Sequence, residues 1–166
     1  IIIKYNQIMD QKQIDKGHVR RLVVYPDSRL RRLAQPVDIA RLQDKKFQEL
    51  IVDMAKTMIV KDGIGLAAPQ VGRNWRLIVV NTDEGVWPMI NPVITKLSSS
   101  TSLEEEGCLS LPNTFGKVRR AKSLHCHYLN ESGKECNLTA HGALARVIQH
   151  EVDHLNGVLF IDYLNL

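Results

Sequence analysis

The stretch GALARVIQHEVDHLNG, residues 142–157, predicts the helix around which the rest of the chain is organised. Its apolar residues recur at the spacing of one helix face, which predicts a helix from about Gly142 to Leu155. Asn156 and Gly157 are typical of a helix end. The apolar positions are Leu144, Val147, Ile148, Val152 and Leu155. Because this face needs a core to cover it, we expect the helix to lie inside the domain.

Within this helix, His150 and His154 are four residues apart, and Glu151 follows the first of them. Residues at i and i+4 lie above one another on one helix face, so two imidazoles can reach one metal ion. The neighbouring carboxylate can then handle a proton of water at the metal. The pattern H-E-x-x-H therefore indicates a metal-dependent hydrolase, and the alternative is two helix histidines spaced by chance.

The third metal ligand is expected upstream of the helix. A catalytic metal of this kind usually has three protein ligands and one open position. Some zinc peptidases continue with G-x-x-H, but here Gly157 is followed by Phe160 at the histidine position. The last six residues offer only Asp162 as a strong ligand. Cys108, in the segment EEEGCLSLP, is therefore the preferred donor, and the alternative is an ordinary buried thiol.

The remaining patterns predict an α+β fold in which antiparallel strands wrap around the central helix that carries the metal-binding motif. Apolar residues at helical spacing predict an earlier helix from about Asp44 to Val60. Strands are predicted at residues 76–81 and 88–97, a hairpin at residues 121–129 and 134–140, and an edge strand at residues 19–25.

Three motifs, in this order and at these separations, closely resemble peptide deformylase. They are GIGLAAPQVG (residues 63–72), EGCLS (residues 106–110) and QHEVDH (residues 149–154). The resemblance extends from about Leu22 to the C-terminus, and residues 1–18 have no counterpart. We therefore divide the chain into an N-terminal arm of unknown role, residues 1–18, and a single metallohydrolase domain, residues 19–166.

The resemblance implies hydrolysis of the N-formyl group from the formyl-methionine that begins new polypeptides, with release of formate. It implies one divalent metal ion on Cys108, His150 and His154, with iron(II) as the native ion. Zinc or another divalent ion also suits these ligands. Glu151 would transfer protons, while Gln70 and the backbone N–H of Leu109 would stabilise the oxyanion.

The resemblance also assigns residues around the reacting groups. The substrate pocket would include Gly63, Ile64, Gly65 and Val147, and Glu106 with Arg120 would form a supporting ion pair. Arg146 departs from the apolar character expected beside Val147, and we place it at the pocket mouth. Asp153 is open between two interpretations, an acceptor that supports the site and a solvated charge.

The basic residues are concentrated at the N-terminus. Residues 1–32 hold eight Lys/Arg and three Asp/Glu, a balance of +5, whereas the remainder holds 14 and 15, a balance of −1. One interpretation is contact with a ribosome surface, without recognition of a specific nucleic acid; the other is a solvated arm. Two apolar segments, Ile1–Ile3 and Ile8-Met9, could also dock on a surface or on a second copy of the chain.

Composition is ordinary for a soluble globular chain, with 44% hydrophobic and 24% charged residues. No apolar run approaches the roughly 18 residues of a membrane helix, so no membrane partner is expected. Cysteines 108, 126 and 136 show no paired framework, which favours a reducing compartment and a bacterial-type cytoplasmic location. An organelle stays an open alternative, although residues 1–18 contain no Ser or Arg, unlike a transit peptide.

Two other classes of protein stay open from the residues alone. One is a different metallohydrolase, such as a small zinc peptidase, whose usual forms need a ligand after the helix. The other is a non-enzymatic binding module with a structural metal, which would need a closed site of four ligands.

Overall fold

The structure is a computed structural model, and it describes residues 8–164. The fold is α+β, as predicted, with three helices and seven strands among these residues. The helices are α1 (Gln11–Ile14), α2 (Lys45–Val60) and α3 (Gly142–Leu155). The strands are β1 (Gly65–Ala67), β2 (Leu77–Thr82), β3 (Gly85–Leu97), β4 (Thr101–Cys108), β5 (Leu111–Ala121), β6 (Ser123–Leu129) and β7 (Glu135–His141).

The strands form two antiparallel sheets. The larger sheet has the order β1-β2-β3-β6-β7, and the smaller one is the β4–β5 hairpin. Consecutive strands are neighbours at most steps, as short connections favour. The hairpin from Thr101 to Ala121 was not predicted, because its exposed Glu-rich strand lacks the apolar alternation that indicates a strand.

The two long helices cover opposite faces of the larger sheet. On β2, Leu77 and Val79 belong to the core that includes α2, whereas Ile78 and Val80 belong to the core that includes α3. Alternate side chains of a strand point to opposite faces, so both faces of this strand are buried. This explains why residues 77–80 form an uninterrupted apolar run.

Helix α2 starts and ends close to the predicted positions. Asp44 caps its N-terminus by accepting a hydrogen bond from the backbone N–H of Lys46 at 2.9 Å. After Val60, Asp62 has a φ of 55°, and the N–H of Gly63 donates to the carbonyl of Met58. The chain then turns into β1, which is how the glycine-rich motif reaches the site.

Helix α3 lies between the two sheets, so the prediction of a central helix is confirmed. Its apolar face packs on the larger sheet, and Arg146 and Gln149 hydrogen-bond the backbone of β5. Gly157 ends this region with a φ of 72°, and a Cβ there would meet the Arg31 carbonyl oxygen at 2.5 Å. The left-handed conformation and the close backbone therefore require glycine.

Residues 8–18 are docked on the domain, although their charged side chains are exposed as the solvated-arm interpretation expects. Met9 and Ile14 are buried in the core beside α2, and Met9 bridges to Val86 on β3. Docking of Ile8-Met9 is therefore seen, while Ile1–Ile3 lie outside the described residues.

No helix within residues 8–164 is long and apolar enough to cross a membrane.

Residues 19–25 do not form the predicted edge strand. They run extended, and their backbone bonds to two separate loops rather than to one strand. The N–H of Val23 donates to the Gln70 carbonyl at 2.8 Å, and that of Tyr25 donates to the Ser110 carbonyl at 2.9 Å. Within the described residues no ladder joins this segment to a partner strand, so the predicted edge strand is wrong.

A chain that begins at Val19 is expected to keep its activity and lose stability. The deletion removes the buried Met9 and Ile14, which costs roughly 3 kcal/mol and lowers Tm by about 6–12 °C. Differential scanning calorimetry and steady-state assays with a formyl-Met peptide measure both effects. The full-length double variant Met9→Ala/Ile14→Ala is the matched control for lost packing. A loss in kcat/KM of about tenfold, equal to about 1.4 kcal/mol, would contradict the expectation.

Candidate metal centre and active-site cavity

The structure brings Cys108, His150 and His154 together. Cys108 ends β4, and the two histidines lie one turn apart on α3. One donor atom from each residue lies within 4.8 Å of the others, and Cys108 Sγ is 3.2 Å from His154 Nε2. These three residues form a group that could bind a metal ion.

The chemistry of the three residues fits a transition-metal ion. One thiolate and two imidazoles are ligands that zinc and iron(II) accept. His150 Nδ1 lies 3.0 Å from Glu106 Oε2, which suits an N–H donating to the carboxylate and leaves Nε2 for a metal. Burial lowers the pKa of His154 well below its usual range, which favours the neutral imidazole that a metal requires.

Glu106 is the centre of a buried charge network. Arg120 donates to both of its oxygens, at 2.9 and 3.0 Å, and Arg146 donates to Oε1 at 2.7 Å. Burial acts to raise the pKa of Glu106, but hydrogen bonds from His150 and Arg120 outweigh it and lower that pKa to about 2. The carboxylate therefore stays ionised beside His150.

Arg146 and Asp153 contribute to this network in ways that their sequence positions did not reveal. Arg146 lines the active-site cavity described below, where the sequence predicts it. It is also buried, and it donates hydrogen bonds to the carbonyls of Val118 and Ser102. Asp153 accepts from Arg120 at 2.5 Å and from Tyr163 at 3.0 Å. Asp153 thus supports the site as an acceptor and is not a solvated charge.

Glu151 faces the cavity from α3. It is 4% exposed, and its Oε2 has no hydrogen-bond partner in the described part of the chain. Burial raises the pKa of this carboxyl group to about 7. A buried carboxyl group with an unsatisfied oxygen and a raised pKa, placed in a cavity, is a candidate for a functional role.

Gln70 lies in the turn after β1, beside Cys108. Its Oε1 accepts from the Ala67 N–H at 2.8 Å, which fixes the amide orientation. Its Nε2 then points to Ser110 Oγ at 3.2 Å and to Cys108 Sγ at 3.4 Å. An amide donor is thereby held next to the metal-ligand group, which is Cys108 with His150 and His154. Leu109 follows Cys108 in the turn between β4 and β5 and also lines the cavity.

A cavity of about 420 Å³ opens beside these groups. The four residues assigned to substrate binding all line it, together with Gln70, Cys108, Leu109, His150 and Glu151. Those four are Gly63, Ile64, Gly65 and Val147. Ile64 and Phe115 add exposed apolar surface, at 64% and 65% exposure, which suits an apolar ligand.

Gly65→Ala is expected to lower kcat/KM about a hundredfold while metal content stays unchanged. A Cβ at residue 65 would collide with Glu151 Oε1 and would lie 2.8 Å from Val147 Cγ1. Displacing a reacting group by about 1 Å can cost about 100-fold in rate. Steady-state kinetics, metal analysis and a thermal melt on the same sample measure the effect. Unchanged kcat/KM in a metal-loaded variant would show that Glu151 need not occupy its observed position.

The fold and the site define an α+β protein with a partly buried Cys–His–His centre beside a cavity of substrate size. The family model described as Polypeptide deformylase matches residues 19–166. A peptide deformylase of Maricaulis maris is 44% identical over 152 residues, covering 89% of this chain and 86% of that protein. The chain therefore belongs to the polypeptide deformylase family.

Solved structures of family members have the same fold. The peptide deformylase of Thermotoga maritima gives a TM-score of 0.84 at 41% identity, covering 89% of this chain and 98% of that one. The class I type b enzyme of Acinetobacter baumannii, bound to Met-Ala-Ser, gives 0.84 at 35% identity, covering 89% and 99%. The predicted family resemblance is confirmed.

Proposed function

We propose that the protein removes the N-formyl group from the N-terminal formyl-methionine of new polypeptides by metal-dependent hydrolysis. The products are formate and a free amine. The observation that carries this proposal is that Cys108 and His150, which meet His154 in one donor group, line the same cavity as Glu151, whose Oε2 has no hydrogen-bond partner within residues 8–164. The family match limits the chemistry to that of a deformylase.

Cys108, His150 and His154 hold one divalent ion in this proposal, with iron(II) as the native ion and zinc or another divalent ion able to replace it. The Cys108 thiolate neutralises half of the charge on such an ion. When bound, the ion acts as a Lewis acid that acidifies water and polarises a carbonyl group. Three ligands leave a position open, which is typical of a catalytic rather than a structural site.

Glu151 takes a proton from the attacking water and gives it to the departing amine. Its burial supports this role, because a carboxyl group with a raised pKa can both accept and return a proton near neutral pH. Gln70 Nε2 and the backbone N–H of Leu109 stabilise the negative charge that develops on the formyl oxygen. The bond from Ala67 N–H to Gln70 Oε1 supports this role by holding the amide donor toward the site.

Gly63, Ile64, Gly65 and Val147 bind the methionine side chain and the peptide backbone. Their place along the cavity supports this assignment. The relative of Acinetobacter baumannii binds Met-Ala-Ser, a peptide with the residue that deformylation leaves at the N-terminus. Glu106 and Arg120 form the supporting ion pair, and Glu106 keeps His150 in the orientation that a ligand requires.

The partners proposed for this protein are formyl-methionyl peptide N-termini and the ribosome surface from which they emerge. The bacterial origin of the curated relatives supports a bacterial-type cytoplasmic location. The basic residues near the N-terminus support the ribosome contact, because ribosomal RNA is a polyanion.

Formate release from formyl-Met-Ala-Ser, with metal content measured on the same sample, tests the proposal. We expect stoichiometric metal, turnover that a chelator abolishes, and turnover that returns when iron(II) is added under anaerobic conditions. Acetyl-Met-Ala-Ser is the control substrate. Cleavage of a peptide bond without formate release would replace the proposal with a peptidase, and metal binding without any hydrolysis would replace it with a binding module.

A further inference from the structure

A second cavity, of about 660 Å³, lies apart from the metal-ligand group and is lined by arginine. We call it the arginine cavity. Four arginines line it, Arg20, Arg21, Arg29 and Arg73, together with one acidic residue, Asp27. The other lining residues are apolar or glycine: Leu22, Val23, Val24, Val71 and Gly72.

The charges of the arginine cavity do not balance. Arg29 pairs with Asp27 at 2.7 Å, and Arg20 pairs with Asp53 at 2.8 Å. Within residues 8–164, Arg21 and Arg73 form no ion pair, and both are exposed. Four guanidinium groups against these two carboxylates leave a charge of +2 in one recess. Such a recess attracts anions.

The arginine cavity lies on the other side of the Gln70 turn from the active-site cavity. The side chain of Gln70 lines the active-site cavity, whereas the next two residues, Val71 and Gly72, line the arginine cavity. The backbone N–H of Val23, which lines the arginine cavity, donates a hydrogen bond to the Gln70 carbonyl. A partner bound in the arginine cavity is therefore close to the active-site cavity without occupying it.

We propose that the arginine cavity binds the phosphodiester backbone of RNA without sequence preference. Arginine presents a planar fork of donors that matches the oxygens of a phosphate group. A single strand of RNA can place a phosphate inside a recess, whereas the broad surface of a lipid bilayer cannot enter one. Tyr25 follows the cavity residue Val24, is 46% exposed, and offers a ring on which a base can stack. The inference rests on the proposed ribosome partner only for the source of the RNA.

Fluorescence anisotropy with a labelled polyuridine oligonucleotide tests the site. We expect the double variant Arg21→Glu/Arg73→Glu to bind about tenfold more weakly than the natural chain, with a salt dependence shallower by about 1.4 in logarithmic slope. Lys45→Glu/Lys46→Glu changes the net charge equally at exposed positions on α2 and should bind within about twofold of the natural chain. Equal loss in both variants would overturn the site, because net charge alone would then explain binding.

Titrations with lipid vesicles and with inorganic phosphate test whether the ligand is RNA. Vesicles of phosphatidylcholine and phosphatidylserine in equal amounts replace RNA in a parallel titration, and tighter binding to vesicles than to polyuridine overturns the proposal. Inorganic phosphate that binds as tightly as polyuridine overturns it as well. If the glutamate variant does not fold, Arg21→Gln/Arg73→Gln must also bind polyuridine more weakly than the natural chain, with a smaller loss of affinity. Formate release by the folded variants should stay within about twofold, since a phosphate contact there does not touch the reacting groups.

Discussion

Glu151→Gln is expected to lower kcat for formyl-Met-Ala-Ser by about a thousandfold, while the protein keeps one metal ion per chain. The amide has the shape of the carboxylate but cannot take and return a proton, and proton transfer of this kind is worth about 100- to 10,000-fold. The carboxylate lines the cavity, and its Oε2 has no partner in the part of the chain that the structure describes. Stopped assays for formate and metal analysis of the same sample measure both quantities.

The matched control for this experiment is Glu49→Gln, which removes an exposed carboxylate from α2 and should leave both quantities unchanged. Loss of metal from Glu151→Gln would show that Glu151 is a ligand, and the proposed roles of the site would then be wrong. A fall in kcat without a comparable rise in KM would place the defect in the chemical step rather than in substrate binding.

Cys108→Ala is expected to abolish both tight metal binding and turnover. The variant leaves two imidazoles, and it removes the one ligand that carries a negative charge at the site. It also removes the sulfur that lies 3.2 Å from His154 Nε2. Metal analysis after gel filtration and the formate assay measure the two losses. Thermal denaturation of the natural chain with and without chelator gives the reference for a folded protein without metal.

Cys136→Ala is the control for loss of a thiol, because Cys136 is partly exposed on β7 and is not part of the metal-ligand group. It should keep metal and activity. Stoichiometric metal and undiminished turnover in Cys108→Ala would remove Cys108 from the proposed ligand set. The third ligand would then have to be another residue at the cavity.

The metal-ligand helix was predictable because its information is local. Helix geometry alone brings His150 and His154 to one face, and the apolar stripe of α3 alone requires a buried position. Cys108 could be selected because the chain after His154 offers few other donors. The four pocket residues and Gln70 came from the family resemblance, and the structure places all five along one cavity.

The features that were not predictable depend on contacts between distant parts of the chain. Nothing near Arg146 in the sequence shows that it reaches Glu106 and the backbone of β5, because this pairing forms only when α3 packs on the β4–β5 hairpin. Residues 19–25 run extended without joining a sheet, because their backbone partners lie in two separate loops. Burial of Met9 and Ile14 likewise depends on a surface of α2 and β3 that residues 8–18 cannot reveal.

The placement of Cys108 on the β4–β5 hairpin, and of both histidines on α3, makes an ion at this site a cross-link between two structural units. An ion that binds only when the hairpin is docked stabilises the docked state by mass action, in proportion to the logarithm of its free concentration relative to Kd. The buried charges around Glu106 join the same two units without a metal. If the proposed ion binds here, we expect it to stabilise the folded chain as well as to support catalysis, so that withholding metal makes the hairpin more sensitive to proteolysis.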